Sequence, residues 1–100
     1  MAMGLLVIGV LGSGQYAAAD AQALAQKSGC MACHGVDKKI VGPSFKDVAA
    51  KYKDDPKAVE FLSGKVKNGG SGVWGQIPMP ANAAVSDEDT KTLVEWVLKQ

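Results

Sequence analysis

The two cysteines and the single histidine of this 100-residue chain fall within five consecutive positions, Cys30-Met31-Ala32-Cys33-His34. C-x-x-C-H is the pattern of covalent c-type haem attachment: each thiol forms a thioether with one haem vinyl group, and the adjacent imidazole reaches the iron. Other chemistries of these residues fit less well. A structural zinc site needs four protein ligands and a catalytic one three plus water; the chain offers two thiols and one imidazole, and only a carboxylate to complete the set. A redox dithiol wants a βαβ setting, and no alternating strand pattern flanks the motif. A disulfide across two residues closes too small a loop to stabilise much.

With His34 on one face of an iron, the other face is either open or closed by a second side chain. No second histidine exists, and of the four methionines Met1 and Met3 lie in an apolar leader while Met31 is inside the motif. Met79 remains, set between Pro78 and Pro80 in a stiff, extended frame. A thioether suits haem iron, and a His/Met pair raises its reduction potential. Gap-filling in the core is the commoner fate of a methionine and stands as the alternative. Two protein ligands leave substrate nowhere to bind on iron, so the expected chemistry is outer-sphere one-electron transfer. The chain lacks H-E-x-x-H, a P-loop, G-x-G-x-x-G and a free histidine for a catalytic triad, which points to a carrier, not an enzyme.

The elements that position these residues read as helices. Asp20 is placed to cap a first one through Ala21, Leu24 and Ala25, ended by Gly29, with the attachment motif on its last turn. A second runs from Ser44, the N-cap, to Tyr52, with Phe45, Val48, Ala49 and Tyr52 on one side. A third opens on Asp55 as cap with Pro56 at the first helical position, turns Val59, Leu62 and Val66 inward, and stops at Asn68-Gly69-Gly70. The last starts at Ser86, in a capping-box arrangement with Asp89, and buries Leu93, Val94, Trp96 and Val97. Trp96 is read as packing. Two loops remain, 35–43 and 69–85, and the second is long enough to expect a task for it.

Residues 1–19 carry no charge, and their apolar run Leu5 to Leu11 followed by Ala17-Ala18-Ala19 reads as a secretory signal cut before Asp20, without the usual basic start. A retained membrane anchor is the competing reading, although the apolar stretch is short for a span of about twenty residues. The expected domain, 20–100, is of a size at which a lone hydrophobic core supplies only about 3–5 kcal/mol, so a covalently held apolar plate would stabilise it. All eleven lysines and ten acids lie there, without arginine, and the net charge of +1 gives no support to nucleic-acid binding.

The runs Gly29 to His34, Val41-Gly42-Pro43-Ser44-Phe45-Lys46-Asp47-Val48-Ala49, Gly72 to Pro80 and Trp96-Val97-Leu98 together resemble the small bacterial class I cytochromes c of the c-551/c-552 type. That resemblance implies an all-α fold of about four helices packed around one covalently attached haem c. It implies Cys30 and Cys33 as thioether positions, and His34 and Met79 as axial ligands. By the same resemblance the Pro43 carbonyl accepts the histidine Nδ1–H, and Trp74 donates to a haem propionate with Lys65 on the same side. Asn82 then hydrogen-bonds near the methionine sulfur. Ala81 stands where many relatives have a second proline, and Lys65 where arginine is frequent, which implies a looser Met79 loop and a point charge in place of a rigid fork. The expected function is a periplasmic electron carrier of the respiratory chain. It would pass electrons from membrane cytochrome donors to acceptors such as a terminal oxidase or nitrite reductase, with Lys27, Lys38, Lys39 and Lys46 steering acidic partners. A haem-based gas-binding or peroxidase-like protein with a displaceable sixth ligand is the alternative. A soluble monomer is expected, with helix exchange through Gly69-Gly70 as the route to a dimer.

Overall fold

A computed structural model describes residues 18–100, which form α1 (Ala18–Lys27), a one-turn 3₁₀ helix (Cys30–Ala32), α2 (Phe45–Lys51), α3 (Ala58–Asn68) and α4 (Asp87–Val97). Residues 1–17, most of the expected leader, lie outside the described residues, whereas Ala18, Ala19 and Asp20 about the expected cut are helical. No strand occurs among the described residues, only two isolated antiparallel bridges, His34 with Lys39 and Gly70 with Met79.

Two of the expected starts are met by side-chain caps. Ser44 and Ser86 each accept the backbone N–H three residues on, from Asp47 and Asp89, both at 3.0 Å, which satisfies a donor that the first helical turn leaves free. The other two begin elsewhere. Because α1 is already helical at Ala18, Asp20 lies in its first turn as a charge complementing the helix dipole, not as its cap. Asp55 does accept an amide N–H, from Lys57 at 2.8 Å, but this bond closes a turn, and α3 proper starts at Ala58.

The attachment motif also departs from expectation. Gly29 adopts a left-handed φ of 84°, which breaks α1 before Cys30, so the cysteines ride on the separate 3₁₀ turn and not on the last turn of α1. This one residue re-aims the motif away from the helix axis.

The α4 helix packs against α1, α2 and α3. Its Leu93 and Trp96 join Ala21, Ala25 and Phe45 in one buried cluster; Val48, Tyr52 and Ala58 form a second, covered by Leu62, Val97 and Leu98. Trp96 packs edge-on to Phe45, at 5.4 Å between centroids and 76° between planes, a favoured aromatic geometry that bears out its reading as core. Val59, Leu62 and Val66 are only half-buried. Besides Leu62's contact with the second cluster, Leu62 and Val66 both line a cavity.

Candidate haem site

That cavity holds about 500 Å³, within the range of sites for small organic molecules, and its lining is mainly apolar. Three segments converge on it: the attachment turn with Cys30, Cys33 and His34, the inner side of α3, and the loop 70–80 with Trp74 and Met79.

The loop 35–43 folds back beneath the motif. The Cys33 carbonyl accepts the amides of Val41 at 3.0 Å and Gly42 at 2.8 Å, and the Gly35 carbonyl accepts that of Phe45 at 2.9 Å. This return brings the Pro43 carbonyl within 2.7 Å of His34 Nδ1. A carbonyl only accepts, so Nδ1 carries the proton and Nε2 keeps its lone pair free for a metal. Phe45 stacks on the imidazole at 5.1 Å with planes 22° apart, and through Phe45 the ring is keyed to Trp96 of α4.

Gly42 completes this seat. A Cβ there would approach His34 Cε1 to 2.6 Å and both ring nitrogens to 3.0–3.1 Å, and Phe45 together with the Pro43 hydrogen bond restrains the ring from moving aside. Gly42→Ala is expected to cost about 1–3 kcal/mol in urea denaturation of the haem-loaded protein, as over-packing does. A variant as stable as the parent would show that the imidazole has room to shift.

The thiols are free of each other, and burial pushes the Cys30 thiol above its usual range, so it stays protonated at neutral pH. Burial, with the Asp55 carboxylate adding, likewise raises the Tyr52 hydroxyl, which lines the cavity as a neutral group. Among the described residues no group of three or more His, Cys, Asp or Glu side chains is arranged to hold a metal ion, so the zinc reading of the motif finds no ligand set. Two unpaired thiols, one oriented imidazole and an apolar hollow fit a flat, iron-bearing macrocycle instead.

Met79 faces the same cavity, its backbone paired both ways with Gly70 at 2.8 and 3.0 Å. Trp74 lines it too but is 45% exposed, which removes the reading of Trp74 as core. Lys65 also lines it, with Nζ 5.3 Å from the Phe61 ring centroid. Asn82 stands one step back: its Nδ2 donates to the Ser28 carbonyl at 3.0 Å and its amide to the Val66 carbonyl at 2.7 Å.

The cytochrome c family model matches residues 18–100. The chain belongs to the cytochrome c family. It is 59% identical over 83 residues to cytochrome c-552 of Nitrosomonas europaea, covering 83% of this chain and 80% of that protein. With cytochrome c-551 of Pseudomonas aeruginosa it shares 48% identity over 98 residues, 98% of this chain and 93% of that one. The crystal structure of wild-type Nitrosomonas europaea cytochrome c552 superposes with a TM-score of 0.76 at 56% identity, over 78% of this chain and 96% of the other. As a cytochrome c of this all-α, class I type, the chain is an electron carrier with one haem c bound covalently through Cys30 and Cys33.

Several residues of this cytochrome c site escape sequence reasoning. The close approach of Gly42 to the histidine had one available signal, a glycine directly before the proline of the return loop. The stacking of Phe45 on His34 had none, since its helical spacing reads simply as core. Lys51 places Nζ 5.7 Å from the Trp74 ring and 5.8 Å from the Tyr52 ring, a bridge between α2 and the loop that only the folded chain reveals.

Proposed function

We propose that the protein is a periplasmic single-electron shuttle whose iron is held between His34 and Met79, moving electrons from membrane respiratory donors to terminal acceptors such as an oxidase or nitrite reductase. What carries this reading is the convergence of an imidazole with a free Nε2 and a proline-framed thioether on one apolar cavity. A haem c bound there supplies a reversible one-electron couple, and a protein ligand on each face keeps substrates off the metal. Pro43 fixes the orientation and tautomer of His34. Trp74 would donate its indole N–H to a haem propionate, with the Lys65 ammonium on the same side. Asn82 gives one Nδ2 proton to Ser28, and this reading assigns the second to the Met79 sulfur.

Exposed Ile40, outside the cavity lining, supplies apolar surface for brief contact with a redox partner, and the adjoining Lys38 and Lys39 supply attraction for acidic ones. Lys46 contributes least, because Asp37 sits 2.9 Å from its Nζ. Electron exchange with an acidic partner oxidase, followed by stopped-flow, should slow as ionic strength rises above about 0.1 M, where screening acts within about 10 Å. Rates indifferent to salt would remove steering. Rapid stoichiometric carbon monoxide binding to the ferrous protein at neutral pH would overturn the shuttle in favour of a gas-binding protein.

A further inference from the structure

The part of the chain that leaves Met79 is fastened by a side chain with no place among the haem contacts. Lys67, on the last turn of α3, sends its ammonium across to the segment that leads from the Met79 loop into α4. Nζ donates to the Val85 carbonyl at 2.5 Å and to the Ala83 carbonyl at 3.4 Å, and lies 3.2 Å from the Asp87 carboxylate. An ammonium has three protons, and here three acceptors from three successive odd positions take them. The side chain is 27% exposed whereas Asp87 is 94% exposed, so the carbonyl bonds, not the surface ion pair, do most of the holding.

The loop has few other fastenings. At its start the Gly69 amide bonds to the Lys65 carbonyl, and Gly70 pairs with Met79, which ties the methionine to the loop itself and not to a helix. Beyond Met79, the bonds of Asn82 to Val66 and Ser28, the grip of Lys67 on 83 and 85, and the packing of Val85 against the Leu93–Trp96 cluster join the segment to helical framework. Only Pro80 and Ala81 separate Met79 from Asn82, so sulfur cannot move far unless this anchored stretch moves as well.

Building on the axial role proposed for Met79, we propose that Lys67 is a positioning residue. Its ammonium clamps the exit of the ligand loop and thereby sets how readily Met79 gives way to an external ligand. It is not among the residues lining the cavity, and its ammonium acts through residues 83–87.

The test is titration of the ferric, haem-loaded protein with imidazole at constant pH and ionic strength, because imidazole binds only after the sulfur has left. Lys67→Met keeps the stem and removes all three donors. It is expected to raise apparent imidazole affinity about tenfold, the scale of a lost charged hydrogen bond, whereas Lys67→Arg, which restores donors, should stay within about twofold of the parent. Asp87→Asn should also stay within about twofold, since the exposed pair contributes little. Leu98→Ala, which weakens packing on the second core cluster and lines neither the cavity nor the cluster against which Val85 packs, is the matched control for general loss of stability. If Lys67→Met lowers the urea midpoint as Leu98→Ala does but leaves imidazole affinity within about twofold of the parent, Lys67 is structural only and the proposal fails. Should Lys67→Met not accumulate with haem, Lys67→Gln is read by the same criteria. Failure of the underlying ligation shows separately, in the unmodified protein: a ferric form without a far-red sulfur-to-iron charge-transfer band ends Met79 ligation, and the clamp's role with it.

Discussion

Replacing Met79 with leucine is expected to leave a folded haem protein whose reduction potential falls by on the order of 0.2 V, part of the roughly 0.8 V that axial ligation spans. Leucine and methionine have similar volume, and such exchanges cost less than about 1.5 kcal/mol in packing, so the fold should persist. What leaves is the soft sulfur donor, which favours the reduced iron. The ferric spectrum should lose its sulfur-to-iron charge-transfer band, and the ferrous form should gain rapid carbon monoxide binding. Potentiometry and ligand titration of Met79→Leu beside the parent decide the matter. An unchanged potential and spectrum would reduce Met79 to cavity lining.

The largest stability effect is expected at Gly69. Its φ of 73° with ψ of −168° lies in a region that only glycine occupies at low cost, and non-glycine residues there carry strain of order 1–3 kcal/mol. Space is closed as well: a Cβ would run into the Met79 carbonyl oxygen and stand 2.8 Å from the Ala81 nitrogen. These are backbone atoms of the ligand loop and cannot rotate away. Gly69→Ala is therefore expected to cost about 3 kcal/mol or more, a drop in Tm of more than about 10 °C for a domain of this size. Because the atoms displaced are those that present Met79, the charge-transfer band should weaken below the melting transition. By contrast, Gly64→Ala meets nothing within 4 Å and supplies a control on the same helix.

Features decided by short stretches of chain were legible. The attachment pentapeptide needs no partner elsewhere to be recognised, and the caps at Ser44 and Ser86 are written in the three residues that follow each. Sequence is less informative where one residue changes the path. Gly29 signals the end of α1, but not that the motif turns onto a separate 3₁₀ helix, because a left-handed φ shows in sequence only as a glycine. Asp55-Pro56 carries the signature of a helix start, and the same Asp side chain stabilises a preceding turn equally well.

The remainder of the site depends on contacts between distant positions. Asn82 meets Ser28 across 54 residues, Lys67 meets Val85 across 18, and the His34 ring finds Phe45 only after the 35–43 loop has returned. Helical periodicity states which side of Lys67 faces inward, but not that three acceptors wait there. The half-buried state of Leu62 and Val66 is also unreadable from pattern alone, since an apolar residue facing a cofactor and one facing a helix look the same in sequence.

The place of α4 in chain order bears on how the protein matures. Leu93 and Trp96 close the cluster that seats Phe45, and Phe45 in turn steadies His34, so the histidine's platform is assembled from the stretch of polypeptide made after everything it supports. Until α4 is in place, the imidazole beside Cys30 and Cys33 lacks the backing that fixes its ring.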